Sequence, residues 1–181
     1  MQGVQLVTAA TLLQQTVAAT CCETSKACKV SLNPNWFPPR SPYGLIQEDL
    51  YPREWLILVA CLLLNQTQRK QVERVLPKFV HDWSTPKAFL ASDSGQVAHL
   101  IRPLGFVNRR GRNLRLMTEA FLEGNWSDAR QLPGCGEYAG RAHDIFCRGI
   151  IGNEEPKDHA LVKWWKWYQL NFVQNVSNSA L

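Results

Sequence analysis

The chain has 181 residues, with 20 Lys and Arg against 15 Asp and Glu, a formal net charge of +5 and a pI near 9.0. That length can bury a core without disulfides or a structural metal, and the basic balance favours a polyanionic partner such as nucleic acid while also suiting an ordinary solvated surface. The longest apolar run, residues 55–64, is ten residues long and fits a buried helix rather than a membrane span. No membrane association is expected.

The six cysteines are Cys21, Cys22, Cys28, Cys61, Cys135 and Cys147, and none forms a CxxC pair or another recurring metal spacing. No metal and no other cofactor is expected. Cys61 and Cys147 lie in apolar stretches and read as small buried hydrophobes, which suits a reducing compartment. Residues 1–20 are mildly apolar, but Gln2, Gln5, Gln14 and Gln15 interrupt them and no basic segment precedes them. They read as a loose N-terminal extension rather than a signal peptide.

A Pro-rich stretch at 33–42 (NPNWFPPRSP) separates this extension from the rest, because repeated prolines exclude both helix and ladder pairing. The expected organisation is an extension over 1–35, one domain over 36–172 and a tail over 173–181. Pro52 sits near a helix start ahead of the apolar run 55–64. In 68–80, Val72, Val75, Leu76, Phe79 and Val80 make one apolar face, with a kink expected at Pro77. Thr85 before Pro86 starts a short turn to Leu90, and Asp93 or Ser94 caps a helix ending at Gly105. The next helix spans 108–123 and closes at Gly124, with Arg109, Arg112 and Arg115 spaced by three on a basic face that suits phosphates or solvent. No alternating strand pattern appears, so the expected class is all-α.

The segment 132–139 (LPGCGEYA) precedes an amphipathic run over 138–147. Gly134 and Gly136 around Cys135 permit positive φ and close backbone approach, and free amides of such a turn can seat a phosphate. A plain helix connection gives the same pattern. Further on, Asp158 opens a Trp-rich segment (PKDHALVKWW), 22 residues after Gly136. Alone, an Asp there reads as an N-cap.

Taken together, three motifs in this order resemble the helix-hairpin-helix DNA glycosylase superfamily. They are LLLNQTQ at 62–68, similar to its LLxxQT turn, the LPGCG hairpin, and the Asp158 that opens the Trp-rich segment. Within that superfamily the similarity is strongest to a branch whose relatives remove thymine or uracil mispaired with guanine. That branch carries a PPRSPxxLxQE stretch (38–48 here), a PLG turn (103–105), a Gly-x-Tyr hairpin end, an IFC segment (145–147) and a DH pair, Asp158 and His159. Gln66 stands where animal members often carry arginine, and Ala160 where lysine is expected.

The resemblance implies two small helical lobes flanking a cleft that binds double-stranded DNA with a mismatched or damaged base. It further implies a monomer in the nucleus. Asp158 would stabilise an oxocarbenium-like state and orient water, with Tyr138 lining the pocket. Gln66 and Phe106 would be wedge and plug for a flipped base, and Gly134, Cys135, Gly136, Thr67, Arg109, Arg112 and His159 would contact DNA. Bifunctional relatives carry a Schiff-base lysine where Tyr138 stands, so no β-lyase step is expected. Adenine-removing relatives need a glutamate where Cys61 stands. Two other readings compete. One is a glycosylase for alkylated bases, with Trp164, Trp165 and Trp167 stacking on the base; the other is a non-catalytic DNA-binding module in which Asp158 is only a cap.

Overall fold

The structure is a computed structural model and describes residues 33–173. Most of the N-terminal extension and the C-terminal tail therefore lie outside the described residues. Among those residues every regular element is helical, as the sequence pattern requires: α1 (Ile46–Leu50), α2 (Glu54–Leu64), α3 (Arg69–Asp82), α4 (Pro86–Leu90), α5 (Ser94–Ile101), α6 (Val107–Glu123), α7 (Glu137–His143) and α8 (His159–Tyr168). Short 3-10 turns at Arg102–Leu104 and Ala129–Gln131 and π turns at Asp144–Arg148 and Gln169–Val173 complete the chain.

The centre is α2. It has no Gly or Pro, it is rich in leucine, and every residue from Trp55 to Leu63 is at most 4% exposed. A helix apolar all round must be covered all round, and α1, α3, α6 and α7 pack on it. On one side α3 to α6 enclose an aromatic cluster of Trp55, Phe79, Trp83 and Phe89, with ring centroids 5.1–6.1 Å apart. Trp55 Nε1 donates to Thr118 Oγ1 at 3.0 Å, which ties α2 to α6. On the other side α7, its π turn and α8 close over Ile145, Phe146 and Trp164.

Local signals place most boundaries. Thr85 Oγ1 accepts from the Ala88 amide with Pro86 at the first helical position, and Asp93 accepts from the Gln96 amide. Gly124 ends α6 in the left-handed conformation, φ +69°. At Pro77 helix α3 continues without a break to Asp82. The missing amide bond falls on the exposed side of the helix, where water can satisfy the Glu73 carbonyl.

The first of the described residues are tied to the π turn after α7 and to Tyr51. The Asn33 amide donates to the Cys147 carbonyl at 3.1 Å, Trp36 Nε1 to the Ile145 carbonyl at 2.7 Å, and the Tyr51 hydroxyl to the Trp36 carbonyl at 2.6 Å.

Candidate DNA interface and active site

Four chain segments meet around an open pocket of about 800 Å³: the loop leading into α1, the turn between α2 and α3, the start of α7 and the start of α8. Its lining includes Tyr43, Gln47, Gln66, Tyr138, Asp158 and Lys163. The Tyr138 side chain is half-buried, packed against the core on one side and lining the pocket on the other, and its hydroxyl accepts a hydrogen bond from Gln47 Nε2 at 2.8 Å. Burial, with Cys61 and Asp158 nearby, raises the Tyr138 hydroxyl above its ordinary range, so it stays protonated. Burial likewise pushes the Cys61 thiol up to about 12.

Asp158 is the N-cap of α8. Its Oδ1 accepts from the Ala160 amide at 2.9 Å and the Leu161 amide at 3.1 Å. Its Oδ2 accepts no hydrogen bond from any described residue and lies 3.9 Å from His159 Nδ1. The capping role therefore occupies one oxygen and leaves the second to a pocket that the residue lines.

Gln66 and Phe106 are exposed, Phe106 by 62%, and they are the two non-glycine residues with positive φ among the described residues, +54° and +49°. A core role for Phe106 is thereby excluded. Both border a small cleft of about 40 Å³ together with Arg109. Thr67, expected as a DNA contact, lines the larger pocket. Its hydroxyl accepts from Arg110 at 2.7 Å and donates to the Asn65 carbonyl at 3.2 Å, and its amide donates to the Leu64 carbonyl.

At the hairpin the Gly134 and Gly136 amides donate to no group of the described residues, whereas the Cys135 amide donates to the Leu132 carbonyl at 3.0 Å and its side chain is buried. Cys135 thus has its amide and side chain turned into the protein, and the free amides of the turn are those of its two glycine neighbours. Gly134 is left-handed, φ +80°, and a Cβ there would lie 2.8 Å from Leu62 Cδ2. Arg130 anchors this turn by pairing with Asp128, Glu137 and Asp144.

The expected basic face divides. Arg109 borders the cleft between Gln66 and Phe106, but Arg112 lines a separate groove against α5, and Arg115 bonds to the Leu90 and Ser92 carbonyls. His159 is at the pocket rim, its side chain 88% exposed. The tryptophans proposed as a base-stacking set do not line the pocket. Trp164 is fully buried and stacked on Tyr168 with centroids 5.2 Å apart, Trp167 packs edge-on to Trp164, and Trp165 bonds to the Gly152 carbonyl.

Two contributors were not singled out from the sequence. Gln47 belongs to the PPRSPYGLIQE stretch, where its neighbour Glu48 accepts from the Ser41 and Leu45 amides, each at 3.0 Å. Arg110 sits between Arg109 and Arg112 of the arginine triplet, where only the helical phase would have set it facing inward.

The family model described as HhH-GPD superfamily base excision DNA repair protein matches residues 59–171. The chain belongs to that family. It is 33% identical over 137 residues to the Arabidopsis thaliana methyl-CpG-binding domain protein 4-like protein, covering 76% of this chain and 31% of that one. It is 34% identical over 110 residues to an Aeropyrum pernix thymine-DNA glycosylase, covering 56% of this chain and 48% of the relative. The chain thus spans less than half the length of these curated relatives. A solved structure titled as a trapped endonuclease III–DNA covalent intermediate superposes with a TM-score of 0.51 at 19% identity, over 57% of this chain and 51% of that one. That likeness concerns the fold, and it agrees with the all-helical architecture of this HhH-GPD chain.

Proposed function

We propose that this HhH-GPD chain is a monofunctional DNA glycosylase that removes thymine or uracil mispaired with guanine, by flipping the base and hydrolysing the N-glycosidic bond with help from Asp158. The observation that carries the reading is that Asp158, Tyr138 and Gln47 line one pocket and that Asp158 keeps one oxygen outside its cap. The duplex hides the bond, so the base must leave the stack, which costs a few kcal/mol and least at a mismatch. Gln66 and Phe106 are exposed at the neighbouring cleft and fill the vacated space, while the Gly134 and Gly136 amides hold the backbone.

Once flipped, the base meets Gln47 and Tyr138. The Gln47 amide nitrogen is engaged by Tyr138, and its Oε1 accepts nothing among the described residues. A carbonyl acceptor matches the ring N3–H of thymine or uracil, which neutral cytosine lacks. As the C1′–N bond breaks, positive charge develops on the sugar, and the Asp158 carboxyl group stabilises it and orients the attacking water. The base leaves with the bonding pair, water supplies the hydroxyl at C1′, and the proton that water gives up ends on the departed base, by way of Asp158 or solvent. Such an activity belongs wherever the cell keeps DNA, the nucleus first.

The test is a panel of labelled duplexes carrying G·T, G·U, A·U, G·A or an alkylated purine opposite its partner, incubated and resolved with and without alkali. The expected result is cleavage of the G·T and G·U strands after alkali only. Lys163 is the lysine that lines the pocket. Nicking before alkali with a borohydride-trapped adduct would make a lysine such as Lys157 or Lys163 the nucleophile and overturn the monofunctional assignment. Turnover confined to the alkylated purine would overturn the choice of base.

A further inference from the structure

Arg110 is on α6, its side chain turned into the molecule, and 5% exposed. Its guanidinium donates to the Leu62 and Leu63 carbonyls at 2.7 and 2.9 Å, to the Asn65 carbonyl at 3.2 Å and to Thr67 Oγ1 at 2.7 Å. It also donates to the Leu104 carbonyl at 3.2 Å and the Gly105 carbonyl at 3.3 Å. The first group closes the turn that carries Gln66; the second closes the turn that carries Phe106. No carboxylate among the described residues pairs with it.

Both turns need such a tether. Gln66 and Phe106 each hold a left-handed backbone conformation, which for an ordinary L-residue costs about 1–2 kcal/mol. The turns come from distant parts of the chain, and Arg110 is a donor whose hydrogen bonds reach both. A planar fork of five N–H donors can satisfy acceptors on both sides at once; an ammonium, with three donors at one point, cannot.

We propose that Arg110 is the positioning residue that couples the wedge turn to the plug turn, so that Gln66 and Phe106 enter the base stack as one unit. This rests on the base-flipping reading above. The guanidinium touches no DNA; it acts by fixing the distance and attitude of the two residues that do. Its loss leaves the pocket and Asp158 in place and lowers the population of flipped base.

The experiment places 2-aminopurine beside the target in a G·T duplex, and reads the fluorescence rise on flipping for the full chain and for Arg110→Lys and Thr67→Val. Affinity for a duplex with an abasic site opposite guanine, where no base remains to be extruded, is measured in parallel, with thermal melting. For Arg110→Lys the expected result is a roughly tenfold fall in the flipping equilibrium, the scale of one lost charge-assisted hydrogen bond, with affinity for the abasic duplex within about twofold. Thr67→Val removes one arm of the tether without touching the buried cation, and a fall of about threefold in the same direction is expected; it carries the test if Arg110→Lys does not fold. Unchanged flipping in Thr67→Val, or a loss of abasic-duplex affinity matching the loss of flipping, would overturn the proposal. If the unaltered chain shows neither a fluorescence rise nor excision, the glycosylase reading fails instead.

Discussion

The Tyr138 hydroxyl and the Gln47 amide meet at 2.8 Å in the pocket, with Cys61 Sγ 3.5 Å from the same amide nitrogen. The bond fixes which end of the amide remains available. Tyr138→Phe removes the acceptor and leaves the amide nitrogen with the weakly accepting thiol alone. A stability loss of about 1 kcal/mol is expected. Excision of thymine opposite guanine should fall about tenfold under single-turnover conditions, with DNA affinity preserved. Unaltered excision in a folded variant would remove Tyr138 from the site.

Asp158→Asn separates capping from chemistry, because asparagine caps helices about as well as aspartate. Melting should stay within a few degrees of the parent and DNA binding should persist, while excision falls by roughly a hundredfold or more. Asp158→Ala should lose both activity and about 1 kcal/mol of stability. Full turnover by Asp158→Asn would refute the catalytic assignment and leave the fold untouched.

The two hairpin glycines should respond differently to alanine. At Gly134 the left-handed backbone and the Leu62 side chain oppose a Cβ, so Gly134→Ala should lose about 1–2 kcal/mol of stability along with DNA affinity. At Gly136 a Cβ meets nothing within 4 Å. Gly136→Ala should fold normally and weaken binding to matched and mismatched duplexes by a similar factor, measured by fluorescence anisotropy. Selective loss on G·T alone would contradict a phosphate-seating role.

The buried thiols set an alkaline limit to stability. Burial raises Cys61 and Cys135 from an ordinary value of 9.0 to about 12, and Cys147 rises as well. Between pH 9 and about 12 the folded chain keeps protons that the unfolded chain releases. Stability is therefore complete below pH 9 and falls as pH rises above it, by about 1 kcal/mol per pH unit for each thiol. Urea midpoints measured from pH 7 to 11 should be level and then decline, and Cys61→Ala should flatten the decline. A midpoint that rises above pH 9 would contradict this.

Truncation tests the strap formed by Asn33 and Trp36. A chain beginning at Asn33 keeps the bonds from Asn33 and Trp36 to the π turn and should fold and excise. One beginning at Phe37 loses them, and its melting temperature should drop measurably. Equal stability of the two would assign the strap no role.

Much of this fold was legible because its signals are local. The caps at Thr85 and Asp93, the stop at Gly124 and the apolar run of α2 are each decided by neighbours in sequence. Asp158 and Tyr138 were legible through motif and order, and they do share a pocket. What escaped depends on long-range partners. Thr67 reads as a turn residue open to a ligand, but its hydroxyl is taken by Arg110 from 43 positions away. Cys135 sits between exposed glycines, but its amide is spent inside the turn. Arg110 looks like one more surface arginine until the phase of α6 turns it inward, and the tryptophan set reads as a stacking platform until Tyr168 and Phe146 are seen to cover Trp164.

Helix α2 lends the molecule a mechanical character. With α1, α3, α6 and α7 against it and no face left to solvent, the lobes on either side share one spine rather than a joint. Parting them would expose apolar surface that costs about 25 cal/mol for every square ångström, so hinge bending is an expensive way to admit a substrate. The protein is then a stiff template, and on the proposed reading the yielding is done by the nucleic acid. Bending and unstacking a duplex depends on its sequence and pairing. On that same reading, a rigid scaffold would turn the softness of a mispair into a means of selection before any atom of the base has been touched.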